Sequence, residues 1–380
     1  MYPATRSRSA SSPEPRRLVA LIVAALLVAG CGDDTARPPA SPDTEPPTTT
    51  VAPSTSATPG TTAPTSTTAE PISTTTNPTT TSPATSAAVA PDLPTGLVWT
   101  GDFPDPFVVV DGDGYHAYAT SSGFVEVQRL ETDARNDWTG PREALGERAD
   151  WAAVLSMWAP AVLRVDDQYL LYYTARVEGT DLRCISVARA AGPAGPFEDV
   201  TEEPWLCPTE LGGAIDPSPF VDADGSLRLL WKSDGITLRR ESSIWSQPLS
   251  PDGLSLAGPA VRLIDTDQDW EFPHVEAPSM LLVDDVYWLA YSGNWWNQAA
   301  YGVGFARCDS ASGPCRKPFD VPILFSAAGA EGPGGGELFV DRAGRTMLAY
   351  HAWLAEPAYP GARALRIEPV AFDGALPRIG

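Results

Sequence analysis

A unit that recurs five times between residues 93 and 380 constrains the fold more than any other feature. Each unit reads as a strand, a turn containing Asp or Gly, and a second strand rich in aromatic and β-branched residues, which is the signature of a β-hairpin. The second strands carry equivalent residues at Ala119, Tyr173, Trp231, Tyr291 and Tyr350. Their spacings of 54, 58, 60 and 59 residues suit one four-stranded blade per unit. The repeat therefore predicts an all-β fold, a five-bladed β-propeller.

The starts of the five units carry the candidate catalytic residues. In a propeller the first strand of each blade lines the central channel, so residues at its start converge near the axis. The equivalent positions read Asp105, Ala159, Asp216, Ala277 and Gly336, and Glu276 directly precedes Ala277. Asp-Pro pairs also serve turns, but Asp105 and Asp216 stand at strand starts, apart from hairpin turns that have their own aspartates. We therefore expect the carboxylates of Asp105, Asp216 and Glu276 to meet at one end of the channel.

Six short segments of the predicted propeller form a recognisable set: Gly101 to Pro106, Met157 to Pro160, Gly192 to Phe197, Ile215 to Ser218, His274 to Pro278, and Tyr350 to Trp353. In order and spacing they resemble the signature segments of glycoside hydrolase family 43. The resemblance implies that Asp105 is the general base, Glu276 the general acid, and Asp216 the residue that orients the acid and raises its pKa. Inversion of the anomeric configuration is then expected.

The resemblance also indicates the substrate class. It implies activity on arabinose- or xylose-containing polysaccharides, as an α-L-arabinofuranosidase or arabinanase first and a β-xylosidase next. A non-catalytic carbohydrate-binding propeller at the cell surface is the alternative, and related five-bladed families that act on fructans or mannosides are a smaller one. The three intact carboxylates favour an enzyme, because binding alone does not require all three.

Aromatic and basic residues near the same strand starts are candidates for binding the sugar. Phe103 and Trp158 flank the carboxylates and are predicted to stack on substrate, although packing within a blade is the competing interpretation. His351 and Arg363 are further predicted contacts, and Trp295 and Trp296 are placed at the channel mouth. The glycine-rich segment from Gly332 to Glu337 lacks the histidine with which many family members hold a central ion. We therefore expect no cofactor and no essential calcium or other metal ion.

The N-terminus predicts export and lipid attachment. Four arginines precede a short apolar run from Leu18 to Gly30, which is too short to span a membrane comfortably and suits a signal peptide (residues 1–30). Cys31 follows a sequence that resembles a bacterial lipobox and is the predicted lipidation site. Residues 31–92 are rich in Ser, Thr and Pro and predict a disordered linker. The expected location is the outer face of the cell membrane.

Charge and cysteine content narrow the remaining possibilities. The formal charge of the chain is −22, and it becomes about −25 once the first thirty residues are removed, so nucleic acid is not an expected partner. The protein is expected to be a monomer that binds a polysaccharide or oligosaccharide. Beyond Cys31, four cysteines suit an oxidising compartment. Pairing of nearest neighbours, Cys184 with Cys207 and Cys308 with Cys315, is favoured, although three connectivities and free thiols are all compatible with the sequence.

Overall fold

The structure, a computed structural model, describes residues 93–380 except 113, 134, 374 and 375. The predicted signal peptide (1–30), Cys31 and the linker (31–92) lie outside the described residues. Within them, helical structure is limited to three short 3-10 turns, at Thr209–Leu211, Gly235–Leu238 and Asp269–Glu271. No helix in this part of the chain has the length and apolarity needed to cross a membrane.

The strands form five sheets in chain order, antiparallel except where β10 pairs in parallel with β6, which confirms the predicted five-bladed propeller. Strand β1 (Gly96–Trp99) precedes blade one, which comprises β2 (Phe107–Asp111), β3 (Gly114–Ala119), β4 (Gln128–Thr132) and β5 (Trp138–Glu143). The short β6 (Leu145–Glu147) lies at the outer edge of blade two, which comprises β7 (Trp158–Val165), β8 (Gln168–Arg176), β9 (Arg183–Ala190) and β10 (Phe197–Glu198). Blade three comprises β11 (Ala214–Val221), β12 (Leu227–Ser233), β13 (Ser243–Pro248) and β14 (Val261–Asp265).

The last two blades follow the same plan. Blade four comprises β15 (Val275–Val283), β16 (Val286–Gly293), β17 (Gly302–Cys308) and β18 (Cys315–Arg316), and blade five comprises β19 (Glu331–Val340), β20 (Thr346–Trp353), β21 (Arg363–Phe372) and β22 (Pro377–Ile379). Strand β1 pairs antiparallel with β21, so the beginning of the domain completes its last blade. This pairing closes the propeller, and Leu93 packs into the same apolar cluster as Leu365 and Ile367.

The aromatic positions of the repeat face the apolar core, which explains why they recur. The side chains of Ala119, Tyr173, Trp231, Tyr291 and Tyr350 are all buried. Five apolar clusters fill the spaces between and within blades, each combining residues from strands distant in sequence. Burying such rings contributes much of the stability of an all-β domain, because apolar surface leaves water.

Hairpin register identifies the equivalent residue in each blade. Trp158, Ile215, Glu276 and Gly334 each pair with the residue at the same position of the next strand, namely Thr174, Lys232, Ser292 and His351. The residue that follows the first member of each pair has a positive φ: Ala159 43°, Asp216 53°, Ala277 49° and Gly335 59°, as does Asp105 at 53° in blade one. The blade-five equivalent is therefore Gly335, and the prediction of Gly336 is wrong by one residue, because the hairpin connection between Val340 and Thr346 is longer than the corresponding connections of blades two and four.

Both predicted disulfides are present. Cys184 of β9 is bonded to Cys207, and Cys308 of β17 is bonded to Cys315 of β18. The second bond ties the outermost pair of strands of blade four, where the two cysteines also pair in register. The pairing of nearest neighbours is confirmed.

Candidate active site

The three predicted carboxylates meet at one end of the channel. Asp105 and Asp216 line the same central cavity, together with Ala159, Ala277 and Gly335 of the other blades. Glu276 is close enough that its charge raises the pKa of both aspartates. The residues at the strand starts share a left-handed backbone conformation, which is uncommon for residues other than glycine. Three acidic groups from three blades thus lie at or beside equivalent positions of the strand starts.

Polar side chains at the ends of the second strands join neighbouring blades around this site. Thr120 accepts a hydrogen bond from the Ala159 backbone N–H (2.9 Å), and Thr174 accepts one from Asp216 (3.0 Å). Ser292 likewise accepts from the backbone of the blade-five residue Gly335 (2.9 Å). We call these hydrogen bonds, with the one that His351 accepts from the Asp105 backbone N–H (3.0 Å), the interblade clasps. They satisfy buried N–H groups that the irregular strand starts leave unpaired.

Asp105 is held by the two clasps beside it. The Thr120 hydroxyl, besides accepting from Ala159, donates to Asp105 Oδ2 at 2.6 Å. Burial raises the pKa of Asp105, while the nearby Arg363 guanidinium and the Thr120 hydrogen bond oppose that rise. The Arg363 charge therefore favours the ionised carboxylate, which is the form a general base needs.

Glu276 makes an ion pair deep in the site. Lys232 Nζ lies 3.0 Å from Oε2, and the Tyr301 hydroxyl donates to Oε1 at 2.8 Å. The imidazole of His274 is 3.5 Å from Oε2. Burial alone would raise the pKa of Glu276, but the Lys232 ammonium and these neighbours outweigh it and hold the pKa low, at about 2.

The pKa of Asp216 is raised, whereas that of Glu276 is lowered. Its Oδ2 accepts the Ala277 backbone N–H at 3.0 Å, across the gap between blades three and four. Burial, and next the charge of Glu276, raise the pKa of Asp216 to about 7. Asp216 and Glu276 interact electrostatically, so Glu276, which lies beside Lys232, ionises first and Asp216 binds a proton more readily. The expectation that Asp216 raises the pKa of Glu276 above its usual value is not met, because the Lys232 charge dominates.

His351 serves the architecture of the site. Its side chain is fully buried, accepts the Asp105 N–H and stacks on Tyr301 with ring centroids 5.8 Å apart. Burial, and then the charge of Arg363, hold the pKa of His351 well below its usual value, so the ring is neutral and Nδ1 is free to accept. The prediction that His351 contacts substrate is wrong for this structure, because the ring lies behind Asp105 without exposed surface.

Gly335 occupies a position with no room for a side chain. A Cβ at this position would lie 2.6 Å from both Asp105 Oδ1 and the His351 ring. Since Ala159 and Ala277 adopt a similar positive φ, the crowding by Asp105 and His351 is what demands glycine. Glu337, two residues on, lines the channel, and Ser218 donates to it at 3.4 Å.

The aromatic residues predicted to lie near the sugar differ in their burial. Phe103 is fully buried in an apolar cluster, so the prediction that it stacks on substrate is wrong. Trp158 is half-buried, and the Arg183 guanidinium lies over its ring at 4.6 Å, so its contact with substrate stays a prediction. Trp295 is partly exposed and meets His274 edge-on.

Arg363 is held beside the carboxylates by an aromatic stack. Its guanidinium lies 4.4 Å over the Trp296 ring, which in turn stacks on Trp353. Its Nε is 3.8 Å from Asp102 Oδ1. Trp296 therefore fixes a cation near Asp105, and its predicted place at the mouth is refined to a role in packing. The contact of Arg363 with substrate stays a prediction.

Sequence reasoning missed Lys232, Tyr301 and Thr120, which contact the carboxylates directly. One signal was available for Lys232: a lysine at the end of an otherwise apolar strand, where other blades have a hydroxyl or imidazole. Tyr301 and Thr120 offered none, because their contacts come from blades that fold together over long sequence separations. No cluster of three or more potential metal ligands occurs among the described residues.

Comparisons with known proteins agree with this geometry. The family model described as glycosyl hydrolases family 43 matches residues 95–376, which is nearly all of the described chain. A beta-D-galactofuranosidase of Aspergillus niger is 27% identical over 236 residues, covering 57% of this chain and 64% of that protein. An extracellular exo-alpha-(1->5)-L-arabinofuranosidase of Cellvibrio japonicus is 25% identical over 205 residues, covering 50% and 58%. The chain thus spans less than two thirds of the length of these curated relatives.

Solved structures show the same likeness. A thermostable family-43 glycoside hydrolase superposes with a TM-score of 0.67 at 26% identity, covering 75% of this chain and 96% of the other. An endo-1,4-beta-xylanase from Bacteroides thetaiotaomicron superposes with a TM-score of 0.62 at 27% identity, covering 76% and 97%. With the family model matching most of the sequence, and three carboxylates at the strand starts, the chain belongs to glycosyl hydrolases family 43.

Proposed function

We propose that this protein is an inverting glycoside hydrolase that acts on arabinose- or xylose-containing polysaccharides, as an α-L-arabinofuranosidase or arabinanase first and a β-xylosidase next. The observation that carries the proposal is the convergence of Asp105, Asp216 and Glu276 from three blades at one end of the channel. The names of the relatives, which include arabinofuranosidase, arabinanase and xylosidase, support the sugar class.

The chemistry assigns a role to each carboxyl group. Asp105 takes a proton from a water molecule whose oxygen bonds to the anomeric carbon, while the glycosidic C–O bond breaks. Glu276 gives its proton to the leaving oxygen from the opposite side, which inverts the configuration. Asp105 then releases its proton to solvent, and Glu276 regains one. Asp216, whose pKa burial and the charge of Glu276 raise, has the role of orienting and tuning the acid.

Glu276 must be protonated before the bond breaks. A sugar in the site displaces water, and a leaving oxygen beside Glu276 favours the neutral carboxyl that can donate to it. These steps use only side chains of this chain, so we propose that no cofactor or essential metal ion takes part. We also propose that the protein works as a monomer on a saccharide partner and does not bind nucleic acid, in keeping with its negative charge.

A substrate panel tests the reaction class. The purified protein is assayed on aryl arabinofuranosides, aryl xylosides, arabinan and arabinoxylan, with Glu276→Gln and Asp105→Asn in parallel. We expect activity on at least one substrate and a loss of about 10²–10⁴-fold in kcat in each variant, since each removes a proton-transfer group. Silence of the folded wild-type protein on every substrate would instead support a carbohydrate-binding propeller.

Product stereochemistry tests the mechanism separately. NMR of the first sugar released from a defined substrate should show the inverted anomer. In inverting glycosidases the two carboxyl groups stand roughly 6.5–9.5 Å apart, which leaves room for the water. A retained product would contradict the assignment of Asp105 as a base acting on water.

We further propose that the protein is exported and held on the outer face of the cell membrane through lipid on Cys31. The short apolar run before this cysteine supports the proposal. The two disulfides support export, because such bonds form in oxidising compartments. Cys31→Ala should abolish incorporation of labelled fatty acid and release the protein from the membrane fraction. Unchanged labelling would exclude Cys31 as the site of attachment.

A further inference from the structure

We infer that Lys232 is a positioning residue for the acid Glu276. It occupies the one position among the five equivalent ones whose side chain does not accept the backbone N–H of the following blade. The inference rests on the proposed function and adds to it Lys232, a residue outside the three carboxylates.

Lys232 stands where other blades have a clasp. By hairpin register, Thr174, Ser292 and His351 occupy its position in blades two, four and five, and each accepts a backbone N–H from the following blade. Thr120 does the same from blade one. An ammonium group has only donors, so Lys232 cannot accept the corresponding N–H, which belongs to Ala277. Blade three therefore departs from the rule that the rest of the ring obeys.

Another residue has taken over the clasp. The Ala277 N–H donates to Asp216 Oδ2 at 3.0 Å, so the joint between blades three and four is still closed. The Lys232 side chain therefore takes no part in a clasp. Its Nζ instead donates to Glu276 Oε2 of blade four at 3.0 Å. A local departure from a repeated rule, compensated by a neighbour, is typical of a functional site.

The burial of Lys232 argues against a purely structural role for this lysine. The side chain is 1% exposed, and burying an ammonium group and a carboxylate costs several kcal/mol per ion before their attraction is counted. A threonine would complete the ring at no such cost. Lys232 also lies in the field of Asp216 and Asp234, and Asp234 is itself bound by Arg183 at 3.2 Å. Arg183 also lies over the ring of Trp158, so the charged groups around Lys232 extend to a predicted sugar-binding residue.

The placement assigns Lys232 a task in the reaction. When Glu276 gives its proton to the leaving oxygen, it becomes a carboxylate in a buried site, and Lys232 stabilises that anion. Lys232 fixes Oε2 while Tyr301 fixes Oε1, so the carboxyl group is oriented at both oxygens. Because Lys232 stabilises the carboxylate that proton transfer leaves behind, its effect is largest when the leaving group is a poor one and needs full protonation.

Two substitutions separate this task from a purely structural one. Lys232→Thr gives blade three the residue type that Thr120 and Thr174 supply in blades one and two. It removes the cation and provides a hydroxyl that can accept the Ala277 N–H. Lys232→Met removes the cation and keeps much of the side-chain volume. The matched control is Lys317→Met, which breaks a second buried pair, Lys317 with Glu271 at 2.8 Å, outside the catalytic carboxylates.

A titration that needs no substrate comes first. With ¹³C-labelled glutamate, the carboxyl resonance of Glu276 is assigned by its loss in Glu276→Gln and followed against pH. We expect the Glu276 resonance to titrate at least one pH unit higher in Lys232→Thr and Lys232→Met than in the wild type, and to be unmoved in Lys317→Met. An unmoved Glu276 resonance in both Lys232 variants would overturn the inference even if the protein proves to be a glycosidase.

Kinetics complete the test. Both Lys232 variants should lose at least tenfold in kcat/KM on a phenyl glycoside, and distinctly less on a dinitrophenyl glycoside, whose leaving group needs little protonation. The alkaline limb of the kcat/KM profile should move to higher pH. Equal losses on both glycosides with an unmoved limb would mean that Lys232 is only structural. A wild-type protein inactive on all substrates would refute the proposed function while the titration still decided the ion pair.

Discussion

At the scale of single residues, the site depends on how charges and atoms are crowded around three carboxylates. Lys232 lowers the pKa of Glu276, burial and the charge of Glu276 raise the pKa of Asp216, and Arg363 favours the ionised form of Asp105. None of these states is intrinsic to a carboxyl group, since burial alone raises the pKa of each one. The protein therefore distributes different proton affinities among similar side chains by placing cations unevenly.

Gly335 gives a residue-scale prediction. Gly335→Ala adds a methyl group 2.6 Å from Asp105 Oδ1 and the His351 ring, so one of them must move. We expect a fall in kcat of at least tenfold with little change in far-UV circular dichroism, because Ala159 and Ala277 show that the backbone tolerates alanine at this φ. Gly329→Ala, where a Cβ meets open space but φ is 77°, is the control for backbone strain. Wild-type activity in Gly335→Ala would show that the contact is easily relieved.

Glu337 gives a prediction about pH and stability. Burial raises its pKa to about 8, against weaker opposing hydrogen bonds from Ser279 and Ser218. Below its unfolded pKa, near 4.5, the group is neutral in both states. As pH rises towards 8, the unfolded chain ionises first, so the wild type loses stability that Glu337→Gln keeps. The free energy of unfolding of the variant should gain at least about 1 kcal/mol on the wild type between pH 5 and 8.

Denaturant titrations at several pH values measure this difference. Glu202→Gln, on an exposed segment, is the control for the same change of charge in the unfolded chain. A difference between Glu337→Gln and wild type that shrinks as pH rises would contradict a neutral, buried Glu337. The sign of the slope, rather than its size, decides the question.

At the scale of elements, the clasps explain how five separate sheets hold one geometry at the axis. Thr174→Val keeps the shape of the side chain and leaves the buried Asp216 N–H without its acceptor. We expect a loss of about 1–3 kcal/mol in the free energy of unfolding. Thr139→Val, on the exposed edge strand β5, should change it by less than about 0.5 kcal/mol. Equal effects of the two substitutions, measured by chemical denaturation, would remove the clasps from the account of stability.

At the scale of the whole molecule, the propeller is closed by its first strand. Strand β1 supplies an edge of blade five, and Leu93 and Trp99 pack against residues of that blade and of blade one. A chain that begins at Asp92 keeps all of these contacts, whereas one that begins at Gly101 loses them. We expect the shorter chain to be less stable by at least about 3 kcal/mol, since it loses strand pairing and buried apolar side chains.

Thermal unfolding of the two truncated chains checks this expectation. The shorter chain should unfold at a clearly lower temperature or fail to fold cooperatively, because an open sheet edge replaces the closure. Indistinguishable melting temperatures would mean that blade five is stable without its N-terminal strand. The comparison isolates ring closure from the rest of the fold, since both chains keep blades one to four intact.

The sequence by itself determined the periodic features of this protein and favoured the disulfide pairing that the structure has. Repeated aromatic residues predict five blades because each blade must bury the same face, and the strand starts at Asp105 and Asp216 are set by that period. The disulfides follow from cysteines that are neighbours along the chain. Such signals are local or repeated, so they are legible without knowing which blade lies beside which.

Only the tertiary structure decided the state of the site. Lys232 reaches Glu276 across a joint between blades, His351 accepts from a residue 246 positions away, and Phe103 turns into the core. The one-residue offset at Gly335 comes from a longer hairpin connection in blade five, whose ends only the strand pairing defines. Hydrogen bonds and charges act through space over a few ångströms, and no spacing in the sequence states which groups closure of the ring will bring that near.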